Sequence, residues 1–280
     1  MLIPRRISPL VRQGRKKGKS QRESDINLVL SAFRSFRSIS PVGYLSTPIT
    51  TGELFYSILE KYQVQTLKEL TVINKDIIFD EIISPNAESG IILGDQLAAQ
   101  WNIPIIVPAV FEAKSHGWTE ADYMDIWYQV IKEMVGHTIM RDGWQYSDGG
   151  TKEFLYSMEM KYRLKFEPQL SINFPNYVPI TLPPAKFPTE LIIISNQRGE
   201  EISLEAGAKM ISLAIINLCQ RGFMPKDLLA VLLQILGIAQ AELQLYDKVD
   251  TTIITKYWRE ALLTSKETES DIYTHCLSQS

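Results

Sequence analysis

The sequence predicts an α/β protein, in which a mostly parallel sheet is flanked by helices and a mainly helical section follows. Short β-branched runs alternate with amphipathic helical patterns over residues 41–165, as expected for a parallel sheet. Six prolines within residues 166–190 favour an extended connector. Residues 191–265 show one strand and then helical spacing, so we expect a second, mainly helical domain there and a tail at residues 266–280.

The first elements of the sheet domain are short and apolar. Val42–Ser46 predicts a buried strand, and Ile103–Val107 predicts another because its apolar residues are β-branched. Between them, Gly52–Tyr62 has apolar residues at helical spacing. We expect residues 63–102 to be an elaboration of this domain that includes a strand at Ile77–Ile83.

The later elements lead to a loop and a helix. Thr119 and Asp122 have the spacing of a capping box, which predicts a helix start. A strand at His137–Met140, a loop at Arg141–Gly150 and a helix from about Thr151 are expected next. Ligands of parallel sheets bind beyond the carboxyl ends of the strands. The segments that we expect to meet there are Tyr44–Thr51, Pro108–Ala113 and Asp142–Glu153.

The charge of the chain is unevenly distributed. Eight basic residues precede the first acidic residue, Glu23, so the remainder carries a net charge of −11 although the whole chain carries −3. An acidic body is not a general binder of nucleic acid, and only the basic arm, residues 1–22, could contact it or an acidic partner. The other interpretation is a solubilising tail. We expect residues 1–40 to be a flexible arm with a short helix at Ile26–Phe33.

Composition argues against several classes of protein. No apolar stretch reaches the roughly 20 residues of a membrane span, and the N-terminus lacks the apolar core of a secretory signal, so we predict a cytoplasmic location and no membrane partner. Cys219 and Cys276 are too few for a disulfide framework. We predict no metal and no cofactor, because His116 and His137 lack metal-ligand spacing and no dinucleotide or phosphate-loop motif occurs.

The segment Leu228–Ala239 is apolar on nearly all sides when drawn as a helix. A helix of this kind must be covered by other apolar surfaces. The sequence leaves open whether it is central to a small helical bundle or to a homo-oligomer formed through the C-terminal helices.

The most informative segment for chemistry is Asp142–Glu153. Its paired glycines, Gly149 and Gly150, allow a sharp turn and the close approach of a ligand to the backbone. We expect Glu153 in the first turn of the next helix, where the partial positive charge favours an ionised carboxylate. Such a carboxylate is a candidate nucleophile, although acids in first turns and glycines in loops are also common where no chemistry takes place.

The order of these motifs resembles the nucleoside 2-deoxyribosyltransferase-like superfamily over about residues 40–165. The early strand leads into a Tyr-x-x-x-Pro turn, Tyr44 to Pro48, and an acid, Asp125, lies on a later helix. A Gly-Trp-x-x-Ser-x-Gly-Gly-x-x-Glu element then runs from Gly143 to Glu153. The resemblance implies a flavodoxin-like sheet and a reaction at the anomeric carbon of a nucleoside or nucleotide.

The resemblance also implies roles for single residues. Glu153 is the nucleophile, Tyr44 orients its carboxylate, and Asp125 helps proton transfer to the departing base. Ser147 suits a 5′-phosphate or a sugar hydroxyl, because a carboxylate at that position would repel phosphate. The remaining substrate-binding candidates are Thr47, Pro48, Trp144, Gly149 and Gly150.

The resulting hypothesis is an N-glycosidase or a 2-deoxyribosyltransferase-like enzyme that acts on nucleosides or nucleotides. If water resolves a glycosyl–enzyme adduct the reaction is hydrolysis, and if a second base resolves it the reaction is transfer. The alternative is a non-catalytic module that senses a nucleotide in the same site and changes assembly through its helical C-terminal half. The sequence leaves open which base and sugar are used.

Overall fold

The structure is a computed structural model that describes residues 19–35, 42–112, 118–173, 192–232 and 234–235. Its strands are β1 (Val42–Ser46), β2 (Ile105–Ile106), β3 (Val135–Met140) and β4 (Ile193–Asn196). Its helices are α1 (Lys19–Arg34), α2 (Glu53–Lys61), α3 (Leu67–Ile73), α4 (Ser84–Trp101), α5 (Ala109–Glu112), α6 (Glu120–Met134), α7 (Asp148–Asn173) and α8 (Leu204–Gln220). A π-helical segment, Ile78–Ile83, leads into α4, and a 3-10 turn, Trp144–Tyr146, precedes α7.

The four strands form one parallel sheet in the order β2-β1-β3-β4. Tyr44 of β1 is in register with Ile106 of β2 on one side and with Thr138 of β3 on the other. The predicted α/β class is therefore confirmed. Because the chain moves outward from β1 to β2 and then returns to place β3 on the other side of β1, the carboxyl ends of β1 and β3 form the switch point at which such sheets bind ligands.

The two faces of the sheet are covered by different helices. Leu45 and Ile139 pack with Leu97 of α4 on one face. Tyr44 lies on the opposite face, since successive strand residues alternate, and it packs with α1 and α6. The largest core lies where α2, α7 and α8 meet, and it includes Phe154.

The N-terminal region is more ordered than the sequence predicts. The short helix expected at Ile26–Phe33 is confirmed, but it extends over Lys19–Arg34 and buries Leu30 against α6. The Arg34 guanidinium donates to both carboxylate oxygens of Glu133 at 2.9 Å. The prediction of a flexible arm is therefore wrong for residues 19–34, whereas residues 1–18 lie outside the described residues.

The strand predicted at Ile77–Ile83 is wrong. These residues are helical and continue into α4, with Ile82 fully buried. The isoleucines of this segment do not distinguish a strand from a helix, because so short an apolar run has too few residues to show a clear period.

Helix α7 is longer than predicted at both ends. It begins at Asp148 rather than Thr151 and continues to Asn173, through Pro168. The predicted extended connector is therefore wrong for residues 166–173, and residues 174–191 are not among those described. A proline removes one amide donor from a helix and favours a kink, at a cost of roughly 3 kcal/mol in a helix interior.

The described part of the C-terminal section completes the sheet domain. Strand β4 pairs with β3, and Ile194 and Leu218 belong to the same core as Phe154. Gly207 of α8 lies directly against the Phe154 ring. Residues 192–235 therefore differ from the predicted separate domain, because their strand and helix cover surfaces of residues 42–161.

The predicted C-terminal helix is only partly described. Residues 226–232 are helical and Leu228 is buried, while the end of the apolar segment, residues 236–239, lies outside the described part of the chain. The described helices include none that combines the length and the apolar character needed to cross a bilayer.

Candidate active site

A buried tyrosine–glutamate pair lies at the switch point of the sheet. The Tyr44 hydroxyl donates a hydrogen bond to Oε1 of Glu153 at 2.5 Å. Tyr44 is 0% exposed and Glu153 is 5% exposed. Because Tyr44 is on β1 and Glu153 is on α7, 109 residues later, the fold itself brings the two side chains together.

Glu153 occupies a different place in its helix from the predicted one. Since α7 begins at Asp148, Glu153 lies in the second turn rather than the first. The field of a helix terminus falls off within the first turn. A hydrogen bond to a carboxylate is stronger than one between neutral groups, so the Tyr44 phenol stabilises and orients this side chain.

The start of α7 is held by hydroxyl groups. The Gly150 amide donates to Ser147 Oγ at 3.2 Å, which is the arrangement of a helix N-cap. Ser147 is buried, and its hydroxyl is 3.2 Å from Thr51 Oγ1, which in turn accepts a hydrogen bond from the Asp148 amide at 3.1 Å. The loop after β1 is thereby joined to the first turn of α7.

The two adjacent glycines of this element have different surroundings. A Cβ at Gly150 would lie 2.8 Å from the Trp144 carbonyl oxygen, so the backbone approach requires glycine. A Cβ at Gly149 would lie 3.9 Å from Ser147 Oγ and 4.0 Å from Met124 Sδ, which is ordinary contact. Only Gly150 therefore needs to lack a side chain.

Asp125 is brought to the level of Glu153 by the packing of two helices. Helix α6 directly precedes β3 in the chain, and α7 follows it. Because each helix connects two parallel strands, both run antiparallel to the strands and parallel to each other. The rings of Tyr128 and Tyr156 are 4.7 Å apart. Asp125 precedes Tyr128 by three residues and Glu153 precedes Tyr156 by three, so each acid lies one turn closer to the carboxyl edge of the sheet. The Asp125 side chain is exposed, not half-buried.

Thr47 and Pro48, the two substrate-binding candidates in the turn after β1, are both closely packed. Pro48 contacts Gly52, whose φ of +114° is a conformation that favours glycine. Thr47 is buried, and its methyl group packs directly on Gly90 of α4. The turn is thus fixed against α4 at one end and joined to α7 through Thr51 at the other.

Trp144 is placed in the core rather than on the surface of the site. It is 1% exposed, and its ring centroid is 4.6 Å from that of Phe154. This differs from the prediction that a loop aromatic faces a ligand. The physical reason is the positive φ of Gly143, +86°, which turns the chain at the end of β3 so that the following 3-10 residue points inward.

Three residues near the site were not predicted from the sequence. Thr51 accepts a hydrogen bond from the Asp148 amide at the start of α7, and Tyr156 lies one turn beyond Glu153. Arg141 follows β3 directly and donates to the Asn86 carbonyl oxygen at 3.3 Å and to Ser89 Oγ at 2.8 Å. Burial lowers the pKa of the Arg141 guanidinium. Its position immediately after the central strand is the one sequence signal that could have identified it.

The described residues contain no cluster of three or more His, Cys, Asp or Glu side chains suited to a metal ion. Comparisons of the chain with protein-family models, with curated proteins and with solved structures give no match.

Proposed function

We propose that this protein cleaves the N-glycosidic bond of a nucleoside or nucleotide in the cytoplasm, with Glu153 as the nucleophile. The observation that carries the proposal is the 2.5 Å hydrogen bond between the Tyr44 hydroxyl and the buried Glu153 carboxylate at the switch point. The motif resemblance assigns these two residues, out of 280, to a nucleophile and the group that orients it. Their contact supports that assignment because residues so far apart in sequence have no local reason to meet.

In the proposed first step, a Glu153 carboxylate oxygen forms a bond to the anomeric carbon of the sugar. The bond from that carbon to the base nitrogen breaks, and its electron pair leaves with the base. The transition state resembles an oxocarbenium ion, so a fixed negative charge beside it is stabilising. Tyr44 restricts the rotation of the carboxylate and thereby lowers the cost of reaching the attacking geometry.

Asp125 is the proposed relay of a proton to the departing base, the role that the motif resemblance implies for it. It lies on α6 at the level of Glu153, and its side chain is exposed. General acid assistance of this kind contributes roughly 10²- to 10⁴-fold to a rate. The second step is the attack of water or of another base on the same carbon, which releases Glu153 and gives hydrolysis or transfer.

A 5′-phosphate is the proposed second recognition element of the substrate. The motif resemblance assigns Ser147, which directly precedes α7, to a phosphate or a sugar hydroxyl, and its hydroxyl lies 3.2 Å from that of Thr51. The loop between β1 and α2 lies over the start of α7. We therefore expect nucleoside 5′-monophosphates to be better substrates than the corresponding nucleosides.

The test is release of free base, measured by chromatography, from a panel of nucleosides and their 5′-monophosphates. We expect Glu153→Gln to abolish base release. Tyr44→Phe loses a hydrogen bond to a charged group, so we expect a fall in kcat/KM of about 10- to 100-fold. Equal rates for wild type and Glu153→Gln would refute the proposal.

The same panel distinguishes the non-catalytic alternative. A nucleotide-sensing module would show an increase in Tm with one of these compounds and no free base from any of them. A binding assay alone does not separate the two functions, whereas the detection of free base by chromatography does.

A further inference from the structure

Tyr156 lies one helical turn from Glu153 of the candidate active site and has no role in the mechanism described above. It follows Glu153 by three residues on α7 and therefore shares its helix face. Its ring meets that of Tyr128 at 4.7 Å with an angle of 68° between the planes, an edge-to-face contact. Because Tyr128 follows Asp125 by three residues on α6, the tyrosine pair lies one turn below the two carboxylates.

The surroundings of the Tyr156 hydroxyl are polar and negatively charged. Burial raises the pKa of this phenol, and the nearby charges of Glu159, Asp125 and Glu153 raise it further. The phenol is therefore a neutral donor at neutral pH. Within the described residues, the Tyr156 hydroxyl takes part in no hydrogen bond with the protein.

We propose that Tyr156 is a substrate-binding residue that contacts the leaving base, donating its phenol hydrogen to an acceptor on a heteroaromatic ring. This inference rests on the proposed function. Because α6 and α7 carry Asp125 and Glu153 one turn above the Tyr128–Tyr156 pair, a base that departs between the two acids would lie over this pair. A neutral donor there stabilises the negative charge that develops on the base as its bond to the sugar breaks.

The geometry also gives this residue a role in specificity. The edge-to-face pair of Tyr128 and Tyr156 presents a rigid aromatic surface, and an aromatic surface of this kind favours a planar base over an aliphatic leaving group. The sugar end of the substrate is assigned to Glu153 and Tyr44, and the base end to Asp125 and Tyr156. One helix, α7, supplies a residue to each end.

The test is the kinetics of Tyr156→Phe with two kinds of substrate. With an ordinary purine nucleoside 5′-monophosphate, we expect kcat/KM to fall about 3- to 10-fold, the usual effect of one neutral hydrogen bond. With the N7-methylated purine analogue, whose base departs without developing negative charge, we expect a change of less than about 2-fold. Phenylalanine keeps the contact with the Tyr128 ring, so the fold should be retained.

A matched control is Tyr62→Phe, which removes a phenol hydroxyl bonded at 2.6 Å to Glu81, an acid that lies on neither α6 nor α7. We expect this variant to retain wild-type kinetics with both substrates. Equal losses with both substrates in Tyr156→Phe, or no loss with either, would overturn the inference while leaving the proposed function standing. Absence of base release by the wild type would instead overturn the proposed function and, with it, this inference.

Discussion

At the scale of single residues, the site depends on the hydrogen bond between Tyr44 and Glu153. The sequence indicates both residues as candidates but does not show that they are in contact. Tyr44 and Glu153 could be predicted because each belongs to a short motif with fixed spacing. The inward position of Trp144 could not be predicted, because it follows from the positive φ of Gly143 and not from any pattern of side chains. Tyr156 was missed because its significance comes from its neighbour across the helix interface, Tyr128.

The two adjacent glycines give a matched prediction at this scale. Gly150→Ala places a methyl group 2.8 Å from the Trp144 carbonyl oxygen, so we expect the free energy of unfolding to fall by about 1–3 kcal/mol. Gly149→Ala has its nearest contacts at 3.9 and 4.0 Å, and we expect a change within about 0.5 kcal/mol, since alanine also favours a helix. Urea unfolding of both variants measures the difference. Equal stability of the two variants would show that the close approach at Gly150 is wrong.

At the scale of secondary structure, capping signals predicted boundaries better than apolar runs did. The box predicted at Thr119 is formed, with the Thr119 amide donating to Asp122 Oδ2 at 2.6 Å and the Asp122 amide donating to Thr119 Oγ1 at 3.3 Å. By contrast, the run at Ile77–Ile83 fits a strand equally well, and its helical state is decided by packing. A cap is local chemistry, while the identity of a buried run depends on the whole fold.

The capping box of α6 is directly testable. Thr119→Ala removes the side-chain acceptor for the Asp122 amide, so we expect the free energy of unfolding to fall by about 1 kcal/mol. Thr119→Ser keeps a hydroxyl at the same place and should lose much less. Thermal unfolding followed by circular dichroism checks this pair, and an alanine variant as stable as the serine variant would contradict it.

Contacts between elements give a pH dependence. His137 of β3 stacks on Trp101 of α4 at 4.9 Å and its Nε2 is 2.7 Å from Ser195 Oγ of β4. Burial lowers the pKa of His137 in the folded state. The unfolded chain, whose histidine pKa is about 6.5, therefore binds more protons just below that pH, so stability is lost as the pH falls from about 6.5 through the lower folded-state pKa.

The measurement is the free energy of unfolding in urea at pH 7.5, 6.5 and 5.5. We expect the decrease toward pH 5.5 to be smaller in His137→Phe, which keeps an aromatic ring against Trp101 but does not titrate. The same pH dependence in both proteins would show that His137 contributes no pH dependence to stability.

At the scale of the whole molecule, the main correction concerns where the sheet domain ends. The prolines of residues 166–190 indicated a boundary, yet β4 pairs with β3 and α8 packs on Phe154 of α7. Long-range pairing of this kind has no local signal in the sequence, because the apolar pattern of a strand is the same whichever strand it pairs with. The α/β class itself was predictable from the alternation of strands and helices, and it is confirmed.

This organisation predicts that the first part of the chain does not fold alone. A chain that stops at residue 165 lacks β4 and α8. Phe154, which shares the main core with Ile211 of α8 in the intact protein, would then be exposed. We expect this fragment to lose cooperative unfolding, as judged by thermal scans of near-ultraviolet circular dichroism. Native-like cooperative unfolding of that fragment would contradict the shared core.

The proposed mechanism requires a bond between the Glu153 carboxylate and a sugar carbon. Its most direct measurement is mass spectrometry of the intact protein after incubation with a 2-deoxy-2-fluoro nucleoside 5′-monophosphate, whose electron-withdrawing fluorine slows resolution of the adduct. We expect a mass increase equal to the fluorinated sugar phosphate, on the peptide that contains Glu153 and not in Glu153→Gln. An adduct that persists in Glu153→Gln, or base release by the wild type with no adduct at any time, would contradict it.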